Sequence, residues 1–319
     1  MRTSLLALLT IAVFAGATMP QSRAQSWQPP ADGGRCPSKW GAGDQRGSGN
    51  LMGPQSVLKA ARLIRTGKVY ELGQVLSASM PLFGTRKFEL TTKRTFMNPG
   101  TNRRGSNEEA VYSEIGQVGT QFDAFSHQTI GGSLYNCFQL EEIATRNGFT
   151  KLGVENVGML MTRGVLLDVA AAKGAAMLEA GYEITPADLE AALRRQKLAL
   201  EAGDAVLIRT GWSRLWGKDN ARYGASSPGI GVAAAEWLAQ KNPMVVGADN
   251  PSVEVSPNPD EKVSLPVHQV MLVVNGVHLL ENLKLEELAA EGAGEFAFVI
   301  QPLKMQGATG STVAPAAIR

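Results

Sequence analysis

The run Gln117-Val118-Gly119-Thr120-Gln121-Phe122-Asp123-Ala124-Phe125-Ser126-His127 carries the densest chemistry in this chain. If the backbone is extended there, side chains two apart share a face. Gln117, Gln121 and Asp123 then project together, and Gly119 leaves the backbone open to a close approach. Three oxygen donors and a nearby imidazole form a donor set suited to a hard divalent cation. Glutamine is uncharged and a poor ligand, so the run by itself has a second reading: a polar strand end with a hydrogen-bonded histidine.

The chain has three histidines, His127, His268 and His278. Histidine is the usual metal ligand and the usual proton carrier at neutral pH. A second run pairs His268, in Pro266-Val267-His268-Gln269, with Glu281-Asn282. The thirteen-residue separation excludes adjacent turns of one helix, but a helix and a return loop can still join the two side chains. His278 lies among Val277, Leu279 and Leu280 and reads as a structural histidine.

The segments around these runs read as mixed strand and helix. Short apolar runs at Gly164–Val169, Ala205–Ile208, Met244–Ala248 and Phe296–Gln301 have the length of buried strands. Helical patterns lie at 232–240, 268–275 and 285–291. Thr185-Pro186-Ala187-Asp188 is a helix start, with a Thr cap, Pro at the first helical position and an acid in the first turn, and that helix is expected to run to about Ala202. Val57, Leu58, Ala61 and Ile64 give an amphipathic helix over 54–66, stopped by Gly67. Residues 25–54 read as an irregular surface arm. Residues 82–110 lack periodicity and are expected to form a long binding loop or lid. The alternation of strands and helices points to an α/β fold in one domain, residues 25–319.

At the N-terminus, Arg2 precedes the apolar run Leu5–Ala17, and Ser22-Arg23-Ala24 supplies small residues around a cleavage point, so residues 1–24 read as a secretory signal. The run is shorter than the roughly 20 residues of a membrane span. Cleavage takes away Arg2 and Arg23, leaving 31 − 2 = 29 basic against 29 acidic residues. A neutral mature chain gives no support to nucleic-acid or membrane partners. Localisation is then periplasmic or secreted, where Cys36 and Cys137 either form one bridge or stay as two buried thiols.

Taken in order, these pieces resemble the metal-dependent cyclase family, which includes bacterial kynurenine formamidase. The first run is similar to that family's His-x-Gly-Thr-His-x-Asp-x-Pro-x-His signature, and His268 and Glu281 to its later metal-binding pair. Trp40-Gly41 to Asn50-Leu51, Gly203-Asp204 to Gly211-Trp212, Gly247-Ala248-Asp249-Asn250-Pro251-Ser252 and Gln301-Pro302-Leu303-Lys304 to Ser311 also match, so the resemblance covers about residues 40–319. It implies the swivelling β/β/α fold, a homo-oligomer, and a zinc or manganese site. It also implies hydrolysis of a small amide, formamide or lactone, arylformamidase-like, by metal-activated water with a histidine as proton shuttle.

Asp123, His127, His268 and Glu281 match the family pattern. Gln117 and Gln121 stand in place of its first two histidines, and Phe125 in place of its proline. That oxygen-rich set favours manganese or magnesium over zinc. The expected site is one divalent cation, Mn or Zn with Mg also compatible, held by Asp123, Gln121 and Gln117 with His268 or Glu281, and His127 as general base or acid. Arg86, Arg94, Arg103 and Arg104 either attract an anionic substrate group or form a solvated basic loop. Phe122 and Trp212 either line the pocket or are buried core aromatics, and Arg209 and Asp249 read as structural. Two other functions fit the same fold: a non-hydrolytic cyclase or dehydratase, and a catalytically inactive binding protein.

Overall fold

The structure, a computed structural model, describes residues 26–98, 102 and 104–319. The expected signal segment 1–24 and Arg103 lie outside the described residues. Among the described residues, nine strands form one sheet, in the order Val69–Glu71, Ala316–Ile318, Glu295–Ile300, Leu160–Asp168, Ala205–Arg209, Val245–Ala248, His278–Glu281, Gln121–Asp123 and Gly310–Thr312. Leu160–Asp168, Ala205–Arg209, Val245–Ala248 and His278–Glu281 run parallel; the flanking pairs are antiparallel.

Central strands buried on both faces need apolar residues in unbroken runs, and Ala205–Arg209 and Val245–Ala248 are buried at every position. Successive residues then feed opposite cores. Val165, Leu167, Val206, Ile208, Val246 and Leu279 pack toward the helices Pro186–Gln196 and Val232–Gln240. Leu166, Ala205, Leu207, Val245 and Leu280 pack on the other face with Phe122, Phe296 and Phe298. The result is a single mixed α/β domain.

Several expectations change. Residues 82–110 are not a loop: Phe88–Asn98 pairs with Arg104–Ser113 in a long antiparallel ribbon. Both strands are rich in Thr, Phe, Val and Tyr, but their residues are mostly exposed, so no apolar alternation marks them. The helix capped by Thr185 and Asp188 stops at Gln196, because Lys197 turns left-handed (φ 57°). The 268–275 segment is a short α-turn, Pro266–His268, continued as a π-helix over Gln269–Val274. The extended face expected over 117–123 is only Gln121–Asp123; residues 115–120 form a turn. Gly119 sits in that turn at φ 68°, and a Cβ there would lie 2.2 Å from Leu76 Cδ2, so the space beside it is filled by the chain itself.

Over residues 26–53 the arm is largely irregular, broken by two short 3-10 turns at Asp32–Gly34 and Gly47–Leu51, but it is tied down. Cys36 and Cys137 form a disulfide, with Cα atoms 6.0 Å apart. Asp44 accepts hydrogen bonds from Gly47 N (2.8 Å), Asn50 Nδ2 (2.6 Å) and the Tyr135 hydroxyl (2.7 Å). Gly47 is at φ 52°, and a Cβ there would meet Gly276 O and the Phe125 ring at 2.4 Å, so this turn requires glycine.

Candidate active site

Four elements bring the site together. In the strand Gln121–Asp123, period-two alternation sends Gln121 and Asp123 to one face and Phe122 to the core on the other. The neighbouring antiparallel strand pairs Glu281 directly with Gln121. Asn282, left-handed at φ 58°, ends that strand and is held through its side chain and carbonyl by three hydrogen bonds. Its Nδ2 donates to Gly119 O (2.9 Å), its Oδ1 accepts from the Tyr223 hydroxyl (2.7 Å), and its carbonyl accepts from Thr120 Oγ1 (2.8 Å). His268 enters from the short turn after Pro266, and His127 from the tight turn closed by its N–H to Ala124 O (3.0 Å).

Ligand atoms of Asp123, His127 and His268 lie within 4.8 Å of one another. His268 Nε2 is 3.1 Å from Glu281 Oε1 and 3.7 Å from Asp123 Oδ2, while its Nδ1 is 2.5 Å from Glu254 Oε1. The His127 and His268 ring centroids are 6.0 Å apart. Gln121 Nε2 donates to Asp123 Oδ1 (3.3 Å) and to Gln117 Oε1 (3.4 Å), and Gln117 Nε2 lies 3.2 Å from His127 Nδ1. The two glutamines thus form an amide chain from Asp123 to His127.

Burial governs the electrostatics. His127 is held below the usual imidazole range by desolvation, against the opposing pull of Asp123, and is neutral at pH 7. Burial, then the neighbouring Asp123 charge, pushes Glu281 up to about 7. For His268 burial pulls downward, but the Glu254 and Glu281 carboxylates outweigh it and raise the imidazole well above its ordinary value. His278 is pushed down to about 4 by burial and stays neutral; it donates from Nδ1 to Asp123 O (3.0 Å) and stacks on Phe125 at 4.1 Å, which supports the motif strand from behind.

The residues fit a divalent cation. Three buried carboxylates, Asp123, Glu254 and Glu281, surround one imidazole, and Asp123 Oδ2 is buried without any hydrogen-bond partner. An orphaned carboxylate oxygen in an excess of negative charge is a costly arrangement that a bound cation relieves. The site opens into a cavity of about 180 Å³ bounded by Phe83, Arg86, Tyr223, Leu265 and Ser256. A wider groove of about 1220 Å³ beside Trp27 and Glu236 contains none of these site residues.

The Cyclase family profile matches residues 70–255. A solved structure described as a novel cyclase is 36% identical, covers 88% of this chain and 98% of its own, and superposes with a TM-score of 0.80. The chain belongs to the cyclase family. A kynurenine formamidase from Polaromonas naphthalenivorans is 35% identical over 108 residues, a match that spans 34% of this chain and 42% of that enzyme. Isatin hydrolase A from Ralstonia solanacearum is 24% identical, with a TM-score of 0.56 over 79% of this chain and 92% of its own, a likeness of fold.

Within this cyclase-family fold, the structure brings together Gln117, Gln121, Asp123, His127, His268 and Glu281. It places Gln117 against His127, Gln121 and Thr309 Oγ1 (3.3 Å). Phe122 is fully buried in the core beneath the site. Trp212 is also fully buried and donates from Nε1 to Tyr223 O (3.1 Å), so it backs a cavity residue. Arg94 and Arg104 lie on the exposed ribbon, away from the cavity wall. Arg86 does reach the cavity, and its Nη1 donates to Gln117 O (3.0 Å). Arg209 pairs with Asp168 and Glu286, and Asp249 accepts from Thr210 and Gly211 N–H groups. Sequence reasoning missed Glu254 and Tyr223. The signal for Glu254 was present: an acid between Val253 and Val255 in a stretch otherwise destined for burial.

Proposed function

We propose that this chain is a metal-dependent hydrolase of a small amide, formamide or lactone. The observation that carries the reading is the convergence of Asp123, His127 and His268 beside an unpartnered Asp123 Oδ2. The kynurenine formamidase relative supports carbon–nitrogen hydrolysis as the reaction type. Asp123, His268 and Glu281 would hold one divalent cation, manganese or zinc, with Gln121 beside them. When bound, such a cation acidifies water and polarises a carbonyl.

The chain's own groups supply the rest. His127, neutral at pH 7, accepts the proton of the attacking water and returns it to the leaving nitrogen or oxygen. Gln117 Nε2, 3.2 Å from His127 Nδ1, orients the ring in the resting protein and gives up that hydrogen bond when Nδ1 accepts the proton. Arg86 gives the cavity one positive charge for an anionic substrate group. Phe83, Tyr223 and Leu265 limit the substrate to a small molecule, since about 180 Å³ is below the usual size of a drug-like pocket. The disulfide between Cys36 and Cys137 supports export to an oxidising compartment, periplasmic or secreted, after removal of residues 1–24.

The test is a screen of formamides, lactones and cyclic imides with the signal-free, metal-loaded protein and its His127→Ala variant. Hydrolysis of at least one class is expected, with kcat lowered by roughly 10²–10⁴-fold in the variant. Hydrolysis unchanged in His127→Ala excludes this histidine as the proton carrier, and no hydrolysis of any class contradicts the assignment.

A further inference from the structure

Glu254 has no exposed surface, lies outside both motif runs and touches neither the cavity nor His127. Its carboxylate is nevertheless the most completely engaged acid around the site. Oε2 accepts the Val267 N–H (3.1 Å), and Oε1 accepts the His268 N–H (3.1 Å) while standing 2.5 Å from His268 Nδ1. Oxygens already receiving two N–H donors act as acceptors toward the third group, so Nδ1 carries the hydrogen. Nε2 faces Glu281 Oε1 and Asp123 Oδ2, and once it gives up its proton its lone pair would be directed at a cation held by those two carboxylates.

The backbone around Glu254 is built to hold it there. Val253 is left-handed at φ 59°, which turns the chain so that a residue between two buried valines faces His268. Glu254 O accepts from Asn250 Nδ2 (3.1 Å) and Ser252 Oγ (2.9 Å). Gly229 packs so closely that a Cβ there would lie 2.2 Å from the Glu254 carbonyl carbon. The Asp249-Asn250-Pro251-Ser252 run thereby acquires a role: Asn250 also accepts the Asn282 N–H through its carbonyl (2.9 Å), coupling the Glu254 turn to the strand end that carries Glu281.

We infer that Glu254 is the positioning residue of the metal site, holding His268 with Nδ1 protonated so that Nε2 faces the cation. The inference rests on the metal-site reading proposed above. Partner carboxylates of this kind typically change metal affinity 10–100-fold.

The experiment uses Zn²⁺ alone as probe, with two readouts that do not involve activity. In the zinc-loaded parent, selective ¹⁵N-histidine labelling resolves three imidazoles, and the expected His268 signal is a protected Nδ1–H with an unprotonated Nε2. A proton on His268 Nε2 overturns the inference without any variant. In Glu254→Gln, competition against a chelating dye is expected to show Zn²⁺ bound roughly 10–100-fold more weakly, with Glu254→Asp falling between it and the parent. A merely structural role would lower the melting temperature of metal-free and zinc-loaded protein alike and leave the Kd unchanged. Parent-like Zn²⁺ affinity in folded Glu254→Gln, alongside weakened binding in His268→Ala, overturns the inference while the metal site stands. No Zn²⁺ binding by the parent overturns both.

Discussion

Gln117 and Gln121 decide how this site departs from the family signature, which has histidine at both positions. A glutamine amide is a weak cation ligand but both a donor and an acceptor, and here the two amides connect Asp123 to His127. We propose that Gln117 acts on the imidazole rather than on a cation. Gln117→Leu is expected to lower kcat roughly tenfold, about 1.4 kcal/mol of transition-state stabilisation, with bound metal per chain unchanged. A parallel loss of metal would show Gln117 to be a ligand, as its place in the motif first suggested. Asp123, His127, His268 and Glu281 were legible because their residue types and spacing carry chemistry directly. Glu254 showed in the sequence only as an acid between two valines, because its placement depends on a left-handed Val253 and on a turn that closes across segments far apart in sequence.

Among the elements, helix Pro186–Gln196 shows what local signals specify well. Thr185 and Asp188 form a reciprocal cap: Asp188 Oδ2 accepts from Thr185 N (2.9 Å) and Oγ1 (2.8 Å), and Lys173 pairs with Oδ1 (2.5 Å). Although burial pushes the other way, these donors together hold the Asp188 carboxyl below its usual range. Its contribution is thus present above the unfolded carboxylate range and lost as pH falls through the folded value. Asp188→Asn is expected to cost about 1–2 kcal/mol near pH 7. Urea midpoints of parent and variant should converge as pH drops below about 4; a deficit independent of pH would contradict the ionic part of the cap. The ribbon Phe88–Ser113 was illegible for the opposite reason. Its register comes from backbone pairing between two mostly exposed strands, so no buried face writes itself into the residue pattern.

For the molecule as a whole, the buried parallel strands announced the α/β core, while the arm over 26–53 depends on long-range ties. The Cys36–Cys137 bridge spans 101 residues, and closing a loop of that length constrains the unfolded chain strongly. Replacing both cysteines by serine is expected to lower stability by roughly 2–5 kcal/mol, with metal content unaltered because the bridge lies away from the donor set. An unchanged urea midpoint would contradict that role. We propose that the buried negative charge around His268 holds a cation. This is tested most directly by elemental analysis of the purified, signal-free protein after loading with Mn²⁺ or Zn²⁺ and gel filtration, beside the Asp123→Ala variant. Close to one equivalent per chain is expected in the parent and little in the variant. A parent that stays well below one equivalent after loading with either ion would contradict it.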